Sequence, residues 1–95
     1  MRLLERKLAR LGLLHQVVKD LFYPDATIRQ LAIHARQLQD DCGSIKAAAW
    51  RDRLGIGRKR SIQLLEYFDR IGFTRRIGDQ RKIREDSALA QGPNP

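Results

Sequence analysis

The hydrophobic positions of this 95-residue chain change period several times, and each change marks an element. Leu4, Leu8 and Leu11 recur at helical spacing, with Gly12 following as a natural stop. Leu13, Leu14, Val17, Val18, Leu21, Phe22 and Tyr23 then form an apolar run split by Lys19-Asp20. That run predicts a short β-hairpin ending before Pro24. Thr27 with Gln30 three residues on has the form of a capping box. It opens a helix whose inner face holds Ile28, Leu31, Ala32, Ala35 and Leu38. The cluster Asp40-Asp41-Cys42-Gly43-Ser44 ends that helix. A short helix over residues 47–54 buries Ala47, Trp50 and Leu54, and Gly55 stops it.

The third helix starts after Gly57. At about 100° per residue, Ile62, Leu64, Leu65, Phe68 and Ile71 occupy one half of its circumference. Lys59, Gln63, Glu66 and Arg70 form the opposite stripe, with Arg60 and Tyr67 along one flank. Gly72 closes it. Residues 73–77, the pair Gly78-Asp79 and residues 80–84 then predict strand, tight turn and strand. Helix, short helix, glycine-containing turn, helix and basic hairpin make a helix-turn-helix followed by a wing.

A shift of sixty positions places Leu4 on Leu64, Leu8 on Phe68, Leu11 on Ile71, Gly12 on Gly72 and Leu13 on Phe73. This weak repeat predicts the end of an earlier winged helix before the complete one. The expected fold is therefore mainly α with small β-hairpins (α+β), a winged helix-turn-helix preceded by the C-terminal part of another. Its expected boundaries are a helix-plus-hairpin remnant over 1–26, a complete winged helix over 27–87 and a disordered tail over 88–95. By this expectation the chain is a C-terminal piece of something longer.

Charge gives the fold a function. Residues 46–84 hold twelve basic and four acidic side chains, and so carry the whole net charge of +8. The remainder is balanced at seven and seven. A surface that meets no polyanion has no reason to segregate charge in this way, whereas one that displaces counterions from phosphates does. Arginine predominates over lysine, which suits planar bidentate contacts. No apolar run approaches the roughly 20 residues of a membrane span. Arg2, Glu5, Arg6, Lys7 and Arg10 interrupt what would be a signal-peptide core. The lone Cys42 cannot close an internal disulfide and fits a reducing interior, so a soluble cytoplasmic protein is expected.

The candidate site follows from these placements. In a helix-turn-helix the second helix offers its N-terminal residues to nucleic acid. Here that end reads Gly55-Ile56-Gly57-Arg58-Lys59-Arg60-Ser61. Glycine permits close backbone approach to a phosphate, and free N–H groups favour anions. Three cations at the end where the helix dipole disfavours them cost stability, which itself points to function. Against this, the glycines also serve the turn, and solvated cations need no ligand. The wing adds Arg75, Arg76, Arg81, Lys82 and Arg84 around Asp79, more charge than edge protection requires. Arg51, Arg53 and Gln63 complete the set. Tyr67 is open between stacking on an unpaired base and capping the core. Trp50, spaced with Ala47 and Leu54, belongs to the core.

Catalysis is not expected. His15, His34 and Cys42 form no base–nucleophile pair, and neither a metal-ligand spacing nor a phosphate-binding GxxxxGK[ST] loop is present. Gly55-Ile56-Gly57 lacks the preceding strand of a dinucleotide-binding fold.

The run Cys42-Gly43-Ser44, then Trp50-Arg51-Asp52-Arg53-Leu54-Gly55-Ile56-Gly57-Arg58-Lys59, then residues 62–76 resembles the C-terminal end of SelB, the bacterial selenocysteine-specific elongation factor family. Residues 14–20 are similar to the hairpin of its penultimate winged helix, and the resemblance extends over residues 3–86. It implies tandem winged helices whose last member grips the selenocysteine insertion (SECIS) hairpin of mRNA during UGA recoding. It also implies an N-terminal GTPase and tRNA-binding region that this sequence does not contain. On that resemblance the chain is a monomeric mRNA anchor without cofactor, metal or catalysis. GTP, the ribosome and selenocysteyl-tRNA are then engaged only through the missing part. A DNA-binding winged-helix regulator is the alternative. It would prefer a palindromic duplex and a dimer, for which no dimerisation helix is evident. A protein-interaction winged helix is a third, and the concentrated arginines argue against it.

Overall fold

The computed structural model describes residues 13–90. Strands β1 (Leu14–Val18) and β2 (Leu21–Pro24) form an antiparallel hairpin. Helices α1 (Asp25–Cys42), α2 (Ala47–Leu54) and α3 (Arg58–Arg70) follow, with strand β3 (Ile45–Lys46) between the first two. Strands β4 (Thr74–Ile77) and β5 (Gln80–Ile83) complete a three-stranded sheet in the order β3-β5-β4. This is a winged helix-turn-helix of α+β class, as the periodicity predicts. The helix expected over residues 1–12, and with it most of the sixty-residue repeat, lies outside the described residues.

Three sequence expectations need correction. The first helix begins at Asp25, not at Thr27. Pro24, extended at φ −60° and ψ 151°, occupies the cap position, and no side chain caps the helix. Proline pre-sets the entry into a helix, and the Asp25 amide instead donates to the Leu13 carbonyl at 3.1 Å. The capping box is therefore not formed. A boundary between residues 26 and 27 falls inside the first turn of α1, and the hairpin packs on the winged helix. Val17 is fully buried with Ile28, Leu64 and Phe68 in one core, and Val18, Leu21 and Tyr23 pack against it.

The second correction concerns the buried stripe of α3. Ile71 is 41% exposed, and Ile62 is half-buried. The helix ends at Arg70, so Ile71 leaves the helical path and Phe73 takes the interior place. Its amide donates to the Phe68 carbonyl at 2.9 Å across the Gly72 turn. Ser61, Leu64, Leu65, Tyr67 and Phe68 are the residues that α3 buries.

The third is the tail. Leu89 and Ala90 pack against the core instead of fraying at residue 88, and the Ala90 amide donates to Ser87 Oγ at 3.1 Å. Before the tail, Arg84 N donates to the Phe73 carbonyl at 2.8 Å and closes the base of the wing, and Ile83 N donates to Gln39 Oε1 at 2.7 Å and ties β5 to α1.

The core centres on aromatic contacts. Trp50 is fully buried, meets Phe68 edge-on at 6.0 Å, and donates from Nε1 to the Ser61 carbonyl at 3.2 Å. Phe68 meets Phe73 at 4.9 Å. Each such side chain contributes about 1.5–3 kcal/mol through burial. The Trp50 bond also fixes α2 against the first turn of α3, so the helix start has a rigid support. Gly55, at φ 67°, and Gly78, at φ 64°, adopt left-handed conformations that side chains resist, closing α2 and turning the wing.

Candidate nucleic-acid interface

The start of α3 is electrostatically open. Gly57 caps it in extended conformation, and among the described residues no side chain caps its free amides. Arg58, Lys59 and Arg60 are all exposed there. Among the described residues none of the three has an acidic partner within 4.0 Å. Uncapped N–H groups and unpaired cations on one helix end form an anion-attracting surface. Gly57 itself has an ordinary φ of −64°, and a Cβ built there would meet nothing within 4 Å. The fold therefore does not demand glycine at this position, which leaves room for an external ligand to approach the backbone.

Two grooves flank this helix start. One, of about 220 Å³, runs between α2 and α3 and brings Arg51 together with Arg58 over Ile62. The other, of about 600 Å³, lies between the β1–β2 turn and α3, with Gly57, Lys59, Arg60 and Gln63 on the helix side. Arg53 is exposed and hydrogen-bonds Gln37 across to α1.

The wing cations divide by strand face. Arg75 and Lys82 are direct cross-strand partners, and both are exposed. Like charges held opposite one another destabilise a ribbon, so this pair is better explained by a ligand than by stability. Arg76 is exposed with its Nε donating to the Gly78 carbonyl at 3.0 Å, and Arg84 is exposed near Asp86 at 3.4 Å. Neither groove includes a wing residue, so the wing is a separate basic edge.

Two expected site residues are not at the surface. The Arg81 side chain is 7% exposed and donates from Nε to Asp69 Oδ2 at 2.8 Å. Arg81 alternates with Lys82 along β5, so when Lys82 faces out Arg81 faces in. It holds the wing to α3 and is not a phosphate ligand. Tyr67 is 6% exposed, and its hydroxyl lies 2.5 Å from His15 Nδ1. Burial pushes its pKa above the ordinary tyrosine value. It is unavailable for base stacking, which resolves the alternatives open in the sequence in favour of the core.

Sequence reasoning missed the network on the other side of Tyr67. His15 bridges the hairpin to two helices, with Nε2 at 2.7 Å from Asp25 Oδ1. Asp25 also accepts from Arg29 Nε at 2.7 Å, and the His15 and Arg29 hydrogen bonds hold its carboxyl below the usual range. Arg70 donates to the Gln16 and Val17 carbonyls at 3.1 and 2.7 Å, and its guanidinium stands 5.1 Å from the Tyr67 ring centre. His15 and Arg70 are singletons in the sequence. Only the pairing of distant elements reveals them.

Among the described residues no group of His, Cys, Asp or Glu could hold a metal ion, and no helix is long and apolar enough to cross a membrane.

Comparison with known proteins adds to this geometry. The family model described as the winged helix of elongation factor SelB matches residues 36–83. The chain is 51% identical over 85 residues to the selenocysteine-specific elongation factor of Escherichia coli (strain K12), covering 90% of this chain and 14% of that protein. It is 39% identical over 83 residues to that of Haemophilus influenzae, covering 87% of this chain and 13% of the relative. It thus spans about one seventh of the length of these relatives. Among solved structures, it is similar to the mRNA-binding domain of E. coli SelB in complex with SECIS RNA. That match has a TM-score of 0.80 and 51% identity over 83% of this chain and 65% of that one. It is also similar to a bacterial selenocysteine-specific elongation factor EF-Sec, with a TM-score of 0.71 and 25% identity over 83% of this chain and 13% of that one.

Proposed function

The chain belongs to the SelB winged-helix family, and we propose that it is an RNA-binding module that anchors a selenocysteine-specific elongation factor to a SECIS-type mRNA hairpin during UGA recoding. The observation that carries the proposal is the uncapped start of α3, where Arg58, Lys59 and Arg60 stand exposed and without acidic partners among the described residues. The relative solved with SECIS RNA supports the same ligand class.

The chemistry suits RNA. A-form helices hide their major groove, so proteins that bind them grip phosphates and single-stranded or bulged bases. The helix start and the Arg75–Lys82 ribbon are two cationic surfaces that can hold a hairpin's backbone at two places. Binding of this kind calls for no cofactor and no catalytic group. In this proposal the module works in the cytoplasm as a monomer. The ribosome and the aminoacylated tRNA are contacted through other regions of the factor.

Fluorescence anisotropy with an mRNA hairpin carrying a bulge and a loop, against a DNA duplex of equal length, tests the proposal. Tighter binding of the hairpin at every salt concentration is expected. Equal affinity for the two would overturn the RNA assignment, and preference for a palindromic duplex would favour a DNA-binding regulator.

A further inference from the structure

The larger groove beside α3 has a second wall that does not belong to the helix-turn-helix. The β1–β2 turn closes it, placing Lys19 opposite Lys59, Arg60 and Gln63 over a floor of Val18 and Leu21. The turn lies outside residues 36–83, the span of the matched family model. Its position is set by several bonds to α3 and not by the chain connection alone. Arg70 holds the Gln16 and Val17 carbonyls, Tyr67 meets His15, and Arg60 reaches the Tyr23 hydroxyl at 3.3 Å. The Gln16 side-chain amide donates to the Lys19 carbonyl at 2.8 Å and orders the turn itself.

We propose that the β1–β2 hairpin is a further RNA-gripping element beside the helix start and the wing, in which Lys19 clamps a backbone phosphate across the groove from Lys59 and Arg60. This inference rests on the RNA-binding proposal above and adds to it a contact surface from outside the winged helix. Several features carry it. Facing cations across a concave surface reinforce one another's potential at the place where a phosphate would sit. Among the described residues Arg60 hydrogen-bonds Tyr23 through one N–H, and the other four of its five donors have no partner there. At about 600 Å³ the groove admits a stretch of ribose-phosphate backbone, and its apolar floor can face a ribose. Asp20, next to Lys19 on the same wall, is the one acid among the described residues that line the groove, and it opposes the phosphate. It gives the proposal a second handle of opposite sign.

Both turn residues are exposed, so their replacement leaves the core intact. The test measures affinity of the whole chain for a bulged mRNA hairpin between about 50 and 200 mM salt. Lys19→Ala is expected to weaken binding about fivefold at the low-salt end and to flatten the log–log salt slope by about one. Asp20→Asn is expected to tighten binding about twofold or more, through loss of a like charge beside the phosphate. Thermal unfolding of both variants should match the wild type. If Lys19→Ala and Asp20→Asn both bind as the wild type does while Arg58→Ala loses affinity, the hairpin contact is wrong and the RNA-binding proposal stands. If the wild-type chain has no affinity for the hairpin, both fail together.

Discussion

Arg81 on the wing and Asp69 on α3 meet through Nε and Oδ2 at 2.8 Å, inside the molecule. Thr74 Oγ1 donates to the other carboxylate oxygen at 2.6 Å, so both arms of Asp69 hold the sheet to the helix. A cation in the most basic stretch of the chain is thus spent on architecture. Removing one partner of such a pair leaves the other half-buried and uncompensated, at a cost of about 2–3 kcal/mol. Arg81→Ala should lose about that much in urea denaturation. The salt dependence of its RNA binding, measured where it is folded, should keep the wild-type slope. A flattened slope with unchanged stability would return Arg81 to the interface.

Tyr67 supplies a complementary case. Tyr67→Phe deletes only the hydroxyl that meets His15 Nδ1. Stability should fall by about 1 kcal/mol, the ordinary value of a hydrogen bond. Affinity for RNA should change little. A tenfold affinity loss in a variant of near-native stability would mean that the hydroxyl contacts the ligand directly.

Gly57 offers a separation of folding from binding. A serine there fits the extended backbone, enters open space and can cap the free amides of α3. Gly57→Ser is expected to stabilise the fold by about a few tenths of a kcal/mol. RNA affinity should fall, because the side chain occupies the approach to the backbone. Melting temperature and anisotropy on the same sample check both directions, and an unchanged affinity would remove Gly57 from the site.

Acid should loosen the hairpin. Asp25 has its carboxyl held low by His15 first and Arg29 second. A depressed folded pKa adds stability that is present above the ordinary aspartate pKa, about 3.9, and is lost as the pH falls through the lower folded value. Asp25→Asn lacks this contribution. The stability gap between wild type and variant should therefore shrink below about pH 4, as measured by denaturation across pH 2–6. A gap that stays constant over that range would assign the loss to packing instead.

Most of the winged helix was legible in the sequence, because helix stops at Gly43 and Gly55, the 3.6-residue period of α3 and the Gly78 turn are local signals. Charge segregation over residues 46–84 likewise marks a candidate interface from the sequence alone. What was not legible depends on contacts between distant residues. Strand β3 is two residues long and exists by pairing Ile45 and Lys46 with Arg81 and Gln80. Leu89 and Ala90 pack against the core and wall a recess together with α1 and Phe73, contacts that no local signal announces. Arg81 reads as a surface residue and Tyr67 stays open between surface and core, because neither composition nor period reveals a buried partner. The hairpin, read as part of a separate remnant, shares the core through Val17 and meets α3 through His15.

In the proposed function, exposed cations at the start of α3 and on the wing neutralise RNA phosphates. The most direct measurement is the salt dependence of hairpin binding for the wild type, Arg58→Ala and Arg75→Ala. Each single replacement is predicted to flatten the slope of log affinity against log salt by about one, with no loss of thermal stability. Wild-type slopes in both variants would mean that neither cation meets a phosphate.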